Sequence, residues 1–494
     1  MADRERGGPE AARAALEGST VCVMGYGDHG GGAGMVDFLA AMGARIVLTE
    51  VRPRDAFSPE VLARLDEVVD VAHFGGHDDS HLDGADLLVR NPAVRFGHPL
   101  LAAARDRGIP VEMEMTLFFR WWPGRIVGVT GTKGKSTTTT LADAVLAAEG
   151  PTLKAGNLRV SAIKALLPGA SPPDAVAIIE LSSFQLEGLG ESRRSPEVAI
   201  VTNLDEDHLD VYPTVEDYWA AKASIWLHQD ADDWLVLPAD DAATVGYVDA
   251  SLAAAGGPGA RRLLFADRRL DDGVEGAWTS AGRLHVRFDG QEHDVVGVDE
   301  LQVRSAIAVL DLCAAVCAGL AEGSSVAGLR EGCLAAREVE DRREVVVEAG
   351  GVTFVNDTTA TAPRAATATV RSFAASPLAV ICGGKAKRSA FDAFADELAA
   401  SADHVVLLRH PNYDASGEIA DLLDARGVGD RVHSVEALGD AVDLAVALLG
   451  AGGGVVLLSP AAASFGPFTN EFDRGARFRA YVTERWGSAT PPGR

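Results

Sequence analysis

The sequence predicts an α/β protein of three domains built on mostly parallel sheets. Short apolar runs alternate with stretches of about 15–20 residues of helical pattern, the rhythm of strand–helix–strand units. Three of these runs end in glycine-rich exits, Gly25-Tyr-Gly27, Gly131-Thr-Lys-Gly134 and Gly383-Gly384, each of which opens a separate block. A length of 494 residues suits about three domains. With 47% hydrophobic and 23% charged residues, each domain can bury a core of ordinary composition.

Taken in order, residues 1–18 are charged and alanine-rich and have no apolar signal core. Strand-like runs follow at 20–24, 45–49 and 87–89, then 126–129, 175–179 and 198–201, and finally 379–382, 404–408 and 455–458. They are short and apolar throughout, as in parallel strands covered on both faces. Residues 261–294 alternate and are rich in turn residues, which predicts a small antiparallel hairpin insertion. The uncharged stretch 444–468 contains glycines and prolines that divide it into helix end, turn, strand and loop, so it predicts no membrane span.

The charge balance narrows the partners. A net charge of −26 repels nucleic acid and anionic membrane. A site for an anionic ligand must therefore carry its own positive groups. Five cysteines without a CxxC pair suggest neither a disulfide framework nor a zinc site. The chain is expected to be soluble, cytoplasmic and, by default, monomeric.

The strongest local signal is Gly128-Val-Thr-Gly-Thr-Lys-Gly-Lys-Ser-Thr137. It follows a buried run and opens a helical stretch, so backbone N–H groups and a positive helix end face a bound phosphate. Gly131, Thr132, Lys133, Gly134 and Thr137 would form the cradle. Lys135 would reach the outer phosphates, and the Ser136 hydroxyl could ligate Mg²⁺. Val129 stands where the strict phosphate-loop spacing has its first glycine, so only the second half of that motif is met. The turn at Gly25–Gly34 is weaker. It can touch a phosphate or only turn the chain.

The loop Thr130-Gly-Thr-Lys-Gly-Lys-Ser-Thr137 resembles the ATP loop of the Mur ligase family. Further segments fall in that family's order. They are Glu180-Leu-Ser-Ser-Phe-Gln185, Asn203-Leu-Asp-Glu-Asp-His-Leu-Asp210, Tyr218-Trp-Ala-Ala-Lys-Ala-Ser-Ile225 and Asn356-Asp-Thr-Thr-Ala-Thr361. Gly383-Gly-Lys-Ala-Lys387, Leu458-Ser-Pro-Ala-Ala-Ala-Ser-Phe465 and Arg474-Gly475 complete the set. The resemblance spans nearly the whole chain and is closest to the glutamate-adding branch. It implies an ATP-dependent ligase that phosphorylates the carboxylate of UDP-N-acetylmuramoyl-L-alanine and lets the amino group of glutamate displace the phosphate. Such a transition state needs charge neutralised on the phosphoryl oxygens.

Roles follow by resemblance. Glu180 and Ser136 would share a Mg²⁺, His208 would ligate a second, and Lys222 would be carbamylated into a further metal ligand. Gln302, Arg342 and Asp357 would hold the nucleotide of ATP, with Arg343 competing for the place of Arg342. Asn157 would lie near the uridine substrate, Arg52 would bind substrate, and Ser182, Ser183 and Gln185 could line the strand-end crevice where ligands bind. Thr361, Lys387 and Ser464 would hold the amino acid. The resemblance also implies a Rossmann-like N-terminal domain at 1–113, a central ATP-binding domain at 114–338 and a Rossmann-like C-terminal domain at 339–494 that closes over ATP.

Three departures from the family pattern bear on specificity. The adenine segment reads Val298-Asp-Glu-Leu-Gln-Val-Arg-Ser305, leaving Gln302 and Ser305 to bond a base. Asn91-Pro-Ala93 stands where the branch has Ser-Pro-Gly. Thr359 replaces a lysine at the amino-acid site, and Glu471 replaces a phenylalanine. Because the changes at Thr359 and Glu471 lie on the segments that read the amino acid, L-glutamate is the expected substrate and D-glutamate the alternative. A folylpolyglutamate-synthase-type ligase and a non-catalytic nucleotide-binding regulator are the remaining readings.

Overall fold

The computed structural model describes the chain except for residues 1–6, 28–30, 96, 158–159, 208–210, 257–258, 304, 338, 387–389, 465 and 488–494. His208 and Lys387, two expected site residues, thus lie outside the described residues. The chain divides into two compact units, residues 1–337 and 338–494. Three α/β sheets are present, two in the first unit and one in the second.

The first sheet is parallel and contains β1 (Thr20–Met24), β2 (Arg45–Glu50), β3 (Val71–Phe74), β4 (Leu87–Arg90) and β5 (Val111–Glu112), in the order β3-β2-β1-β4-β5. Chain order reverses between β1 and β4, which opens a crevice at their carboxyl ends. Both exits turn there. A Cβ on Gly27 would lie 2.5 Å from Asn91 Nδ2, and Gly27 holds φ +70°, so glycine lets the β1 exit press onto the β4 exit.

The second sheet joins β6 (Ile126–Thr130), β7 (Thr152–Gly156), β8 (Val176–Glu180), β9 (Val198–Val201), β10 (Trp234–Pro238), β11 (Arg261–Ala266), β12 (Gly276–Ser280), β13 (Arg283–Phe288) and β14 (Gln291–Gly297). Their order is β14-β13-β12-β11-β10-β9-β6-β8-β7. Among the described residues, β12 pairs antiparallel with β13 and β13 with β14, and the other strands of this sheet pair parallel. The hairpin expected across 261–294 is therefore shorter than the sequence implied. Leu263 and Phe265 are buried, and they hold β11 parallel to β10 as part of the main sheet.

One hydrophobic core runs through both of these sheets. Helix Glu114–Trp121, which links them, turns Leu117, Phe118 and Phe119 into that core, and Phe118 stacks on Trp122 at 5.3 Å. Each buried aromatic removes about 150–250 Å² from water, worth several kcal/mol at about 25 cal/mol/Å². The link is therefore a packed element that fixes the two sheets relative to each other within the unit.

The second unit holds β15 (Glu344–Ala349), β16 (Val352–Asn356), β17 (Leu378–Cys382), β18 (His404–Leu408), β19 (Val432–Val435) and β20 (Gly454–Leu458), in the order β15-β16-β20-β17-β18-β19. All pairings are parallel except β15 with β16. The uncharged stretch near 444–468 becomes the end of helix Leu438–Leu449, a short 3₁₀ turn, β20 and a loop. Among the described residues no helix is long and apolar enough to cross a membrane.

Candidate active site

Parallel register gathers the expected residues at one edge of the second sheet. Val129 pairs with Glu180, Thr130 with Val201, and Gly156 with Glu180, so β6, β7, β8 and β9 end at the same level. The loop after β6 meets the β9 exit there. Asn203 grips it twice: Lys133 N donates to Asn203 Oδ1 at 3.0 Å, and Asn203 Nδ2 donates to Lys133 O at 3.0 Å. Thr132 N adds a bond to Asn203 O. Gly134 sits at φ +84° and starts helix Lys135–Leu146, directing the helix end into the loop as the sequence implied.

Lys135 Nζ donates to Gly131 O and Thr132 O, each at 2.9 Å. The amine is folded onto the loop that would hold phosphate. Ser136 Oγ donates to Glu180 Oε2 at 2.5 Å, and Asn157 Nδ2 donates to Glu180 Oε1 at 2.9 Å. Glu180 is buried, so its carboxylate is held by these two donors instead of water. The sequence placed Asn157 at the uridine nucleotide. The structure puts its amide on the Glu180 carboxylate, because Gly156 and Glu180 are register partners.

Lys222 lies on helix Val215–Ala223 and is buried. Its amine donates to Gly131 O at 2.9 Å and to Thr130 Oγ1 at 3.4 Å, and it sits over the Tyr218 ring. Burial, reinforced by the nearby Lys135 charge, pushes its pKa well below the ordinary lysine value.

A cavity of about 780 Å³ opens between the two crevices of the first unit. Gly27, Asn91 and Pro92 line it from the first sheet, and Asn157, Ser182 and Gln185 from the second. That volume suits a nucleotide-sized ligand. Ser182 and Gln185 are also bonded to each other: Ser182 N donates to Gln185 Oε1 at 3.0 Å, closing the cap of helix Ser183–Glu191. The sequence reading missed Phe184, Glu187 and Tyr212, which line the same cavity. Their spacing carries no chemical signal, and only folding brings Tyr212 against Phe184, with ring centroids 5.9 Å apart. Arg52 stands at the end of β2, paired with the buried Glu50 at 3.0 Å and stacked 4.3 Å over Phe57. Glu50, also missed, accepts Tyr26 N at 2.9 Å and so locks the first glycine turn.

The other expected nucleotide residues lie as follows. Ser305 caps helix Ala306–Ala321 by accepting Ala308 N at 3.1 Å, and its hydroxyl proton can still be donated. Gln302 is exposed. Arg342 is exposed, and the main-chain N of the neighbouring Arg343 donates to Asp357 Oδ1 at 3.2 Å. Asp357 is buried and accepts the Ser459 hydroxyl at 3.0 Å. Burial pushes its pKa up to about 6 despite those donors. At the amino-acid segments, Thr361 is half-buried, and Ser464 is 1% exposed with its hydroxyl oxygen lacking any partner.

Comparison with known proteins agrees with this arrangement. Residues 19–112 match the Mur ligase MurD-like N-terminal domain, 129–308 the Mur ligase middle domain and 341–462 the Mur ligase glutamate ligase domain. A UDP-N-acetylmuramoylalanine–D-glutamate ligase of Roseiflexus sp. is 38% identical, over 94% of this chain and 99% of its own. A ligase of the same name from Acidobacterium capsulatum is 33% identical, over 96% and 98% respectively. Among solved structures, MurF ligase from Thermotoga maritima in complex with ADP shares the fold at a TM-score of 0.52 and 18% identity, covering 96% of this chain and 97% of that one. UDP-N-acetylmuramate–alanine ligase MurC from the same organism does so at 0.51 and 21%, covering 94% and 99%. The expected preference for L-glutamate is not supported, because these relatives carry the D-glutamate name. Sheets, phosphate loop and sequence together place the chain in the Mur ligase family, as an ATP-dependent, ADP-forming acid–amino-acid ligase.

Proposed function

We propose that this enzyme joins D-glutamate to UDP-N-acetylmuramoyl-L-alanine in peptidoglycan precursor synthesis. The observation that carries the reading is the phosphate loop with its Ser136–Glu180 pair, set beside a cavity of nucleotide size. The D-glutamate name of relatives that match end to end supports the amino acid. A carboxylate oxygen of the acceptor attacks the γ-phosphorus of ATP, ADP leaves, and an acyl phosphate forms. The amino group of glutamate then adds to the acyl carbon, and phosphate departs.

The residues present fit Mg²⁺. Ser136 and Glu180 offer a hydroxyl and a carboxylate, hard oxygen donors of the kind this ion takes, and they already face each other at 2.5 Å. By resemblance His208 and Lys222 complete the metal set. When bound, the ion neutralises charge on the phosphoryl oxygens. Lys135 supplies the second positive charge by exchanging its two loop carbonyls for phosphate oxygens. On the amino-acid side, Ser464 offers an uncommitted hydroxyl in the segment expected to hold glutamate.

The enantiomer is tested by measuring kcat/KM for D- and L-glutamate with UDP-N-acetylmuramoyl-L-alanine as acceptor. A preference of over about a hundredfold for D-glutamate is expected, equivalent to about 3 kcal/mol. Equal rates, or an L preference, would return the reading to the alternative.

Lys222 gives a second test. A buried amine with a depressed pKa has more of its neutral form than an exposed lysine, and the neutral form is the one that adds carbon dioxide to become a carbamate. Lys222→Ala should lose about a hundredfold in turnover, the scale of one charge removed from a preorganised site. Acetate should restore part of it. An unmodified amine in high-resolution density of the ATP-bound enzyme contradicts the carbamate.

A further inference from the structure

The Arg474-Gly475 pair has no role in the reaction as proposed, yet its placement is unusual. Arg474 lies near the start of helix Glu471–Trp486, with its side chain fully buried. Nε donates to Thr358 Oγ1 at 3.0 Å, and Nη2 donates to Thr358 O at 2.9 Å and to Ala462 O at 3.5 Å. Nη1 is buried and has no partner. Thr358 passes the contact on, donating its hydroxyl to Glu471 O at 2.8 Å. Gly475 makes the approach possible: a Cβ there would lie 2.0 Å from Asp341 Oδ1 and 2.5 Å from Thr358 Cγ2.

The two loops that Arg474 ties together leave neighbouring strands. β16 and β20 are parallel partners, with Asn356 opposite Leu458, so their exits run side by side. One exit leads through Thr358 to Thr361, the other through Ala462 to Ser464. Ala461 N donates to Ala360 O at 2.9 Å, a second tie between them. Tyr413 OH donates to Ser464 O at 3.3 Å from the far side.

Stability alone does not account for an arginine here. Among the described residues no carboxylate lies within ion-pair distance of it, and burial, only partly offset by Tyr413 and Glu471, pushes its pKa down to about 10. A desolvated guanidinium with no paired carboxylate gives back most of what its hydrogen bonds contribute, and an apolar side chain of similar size would fill the space as well. The cation keeps an unpartnered Nη1, and the Ser464 hydroxyl is likewise unpartnered.

We infer that Arg474 is a positioning residue for the incoming amino acid, clamping the two exit loops into one piece and giving that piece the positive charge that favours an acidic amino acid. The inference rests on the glutamate reading and adds to it the residue that organises the half-site.

The test uses the full chain with Arg474→Met and Arg474→Lys. The measurements are KM for D-glutamate, ATP and acceptor, and amide hydrogen exchange at 356–361 and 459–464. Arg474→Met should raise the glutamate KM at least about tenfold, leave the other two within about twofold, and speed exchange in both loops. Arg474→Lys keeps the charge without the fork, so it should recover part of the glutamate KM while exchange stays fast. An unchanged glutamate KM overturns the inference, as does an equal rise in all three constants. If the wild-type chain uses neither glutamate enantiomer, the reaction reading fails instead, and exchange in Arg474→Lys still decides whether the clamp exists. Should Arg474→Met fail to fold, the lysine variant carries both readouts.

Discussion

Lys135→Ala and Glu180→Ala should each lower turnover at least about a hundredfold, the loss expected when one preorganised charge is removed from a phosphoryl-transfer transition state. The two variants fail for different reasons. Lys135 is half-buried at the start of helix Lys135–Leu146, and its bonds go to loop carbonyls, so truncation removes charge while the loop keeps its grip through Asn203. Glu180 is buried and accepts from both Ser136 and Asn157. Its truncation leaves two donors without an acceptor, each costing about 1–3 kcal/mol, so stability falls as well. Glu180→Gln separates these effects. It keeps the volume and one acceptor oxygen and removes the charge, so turnover should fall as far as in the alanine variant while the unfolding midpoint moves less. Single-turnover ADP formation is the direct measurement. Rates within about threefold of wild type for Lys135→Ala and Glu180→Gln would remove both from the site.

Much of this site was legible because its chemistry sits at strand exits. The phosphate loop, Glu180 and Asn203 all follow buried apolar runs, and parallel pairing brings such ends together whatever the helices between them do. Asn203 stood in a recognised segment, but its part as a two-bond clamp on Lys133 was not legible, since an asparagine after a strand reads equally well as a turn residue. Ser305 carries a part that was not legible in the sequence. Beside the base contact that its place in the adenine segment suggests, its oxygen accepts Ala308 N, and only the helix start at Ala306 reveals that cap. The hairpin estimate failed for a packing reason. Residues 261–266 alternate like a hairpin strand, but the partner is chosen by which neighbour buries Leu263 and Phe265, and that neighbour is β10. The expectation of L-glutamate weighed two substitutions, Thr359 and Glu471, as specificity changes, and relatives named for D-glutamate do not support it. In the folded chain Thr359 Oγ1 donates to Asp341 O at 2.8 Å and the main-chain carbonyl of Glu471 accepts from Thr358, so both positions are tied into the second unit.

The loop's geometry also predicts that Gly131→Ala disables the enzyme without touching a charged group. Gly131 holds φ +147°, and a Cβ built there lies 1.9 Å from Thr202 Oγ1 and within 3.2 Å of both Asn203 N and Asn203 O. None of these can retreat cheaply. The Thr202 hydroxyl donates to Lys133 O, and Asn203 O accepts Thr132 N at 3.0 Å, so the obstructing atoms are the same ones that hold the loop. The chain can relieve the clash only by turning the peptide at Gly131, and that carries Gly131 O away from its partners. Both site lysines depend on it: Lys135 Nζ and Lys222 Nζ each donate to that carbonyl at 2.9 Å. A backbone strain of about 1–3 kcal/mol is therefore joined by the loss of both lysine hydrogen bonds to that carbonyl. Turnover should fall by about a hundredfold or more, with a raised KM for ATP and a lower unfolding midpoint. Gly150→Ala is the matched control, since no atom stands within 4 Å of its Cβ position; it should change neither quantity. The comparison needs steady-state ATP kinetics and a thermal melt on the two variants. A Gly131→Ala enzyme that keeps the wild-type KM for ATP would mean that the loop does not hold the nucleotide, and the phosphate site would have to be sought elsewhere in the fold.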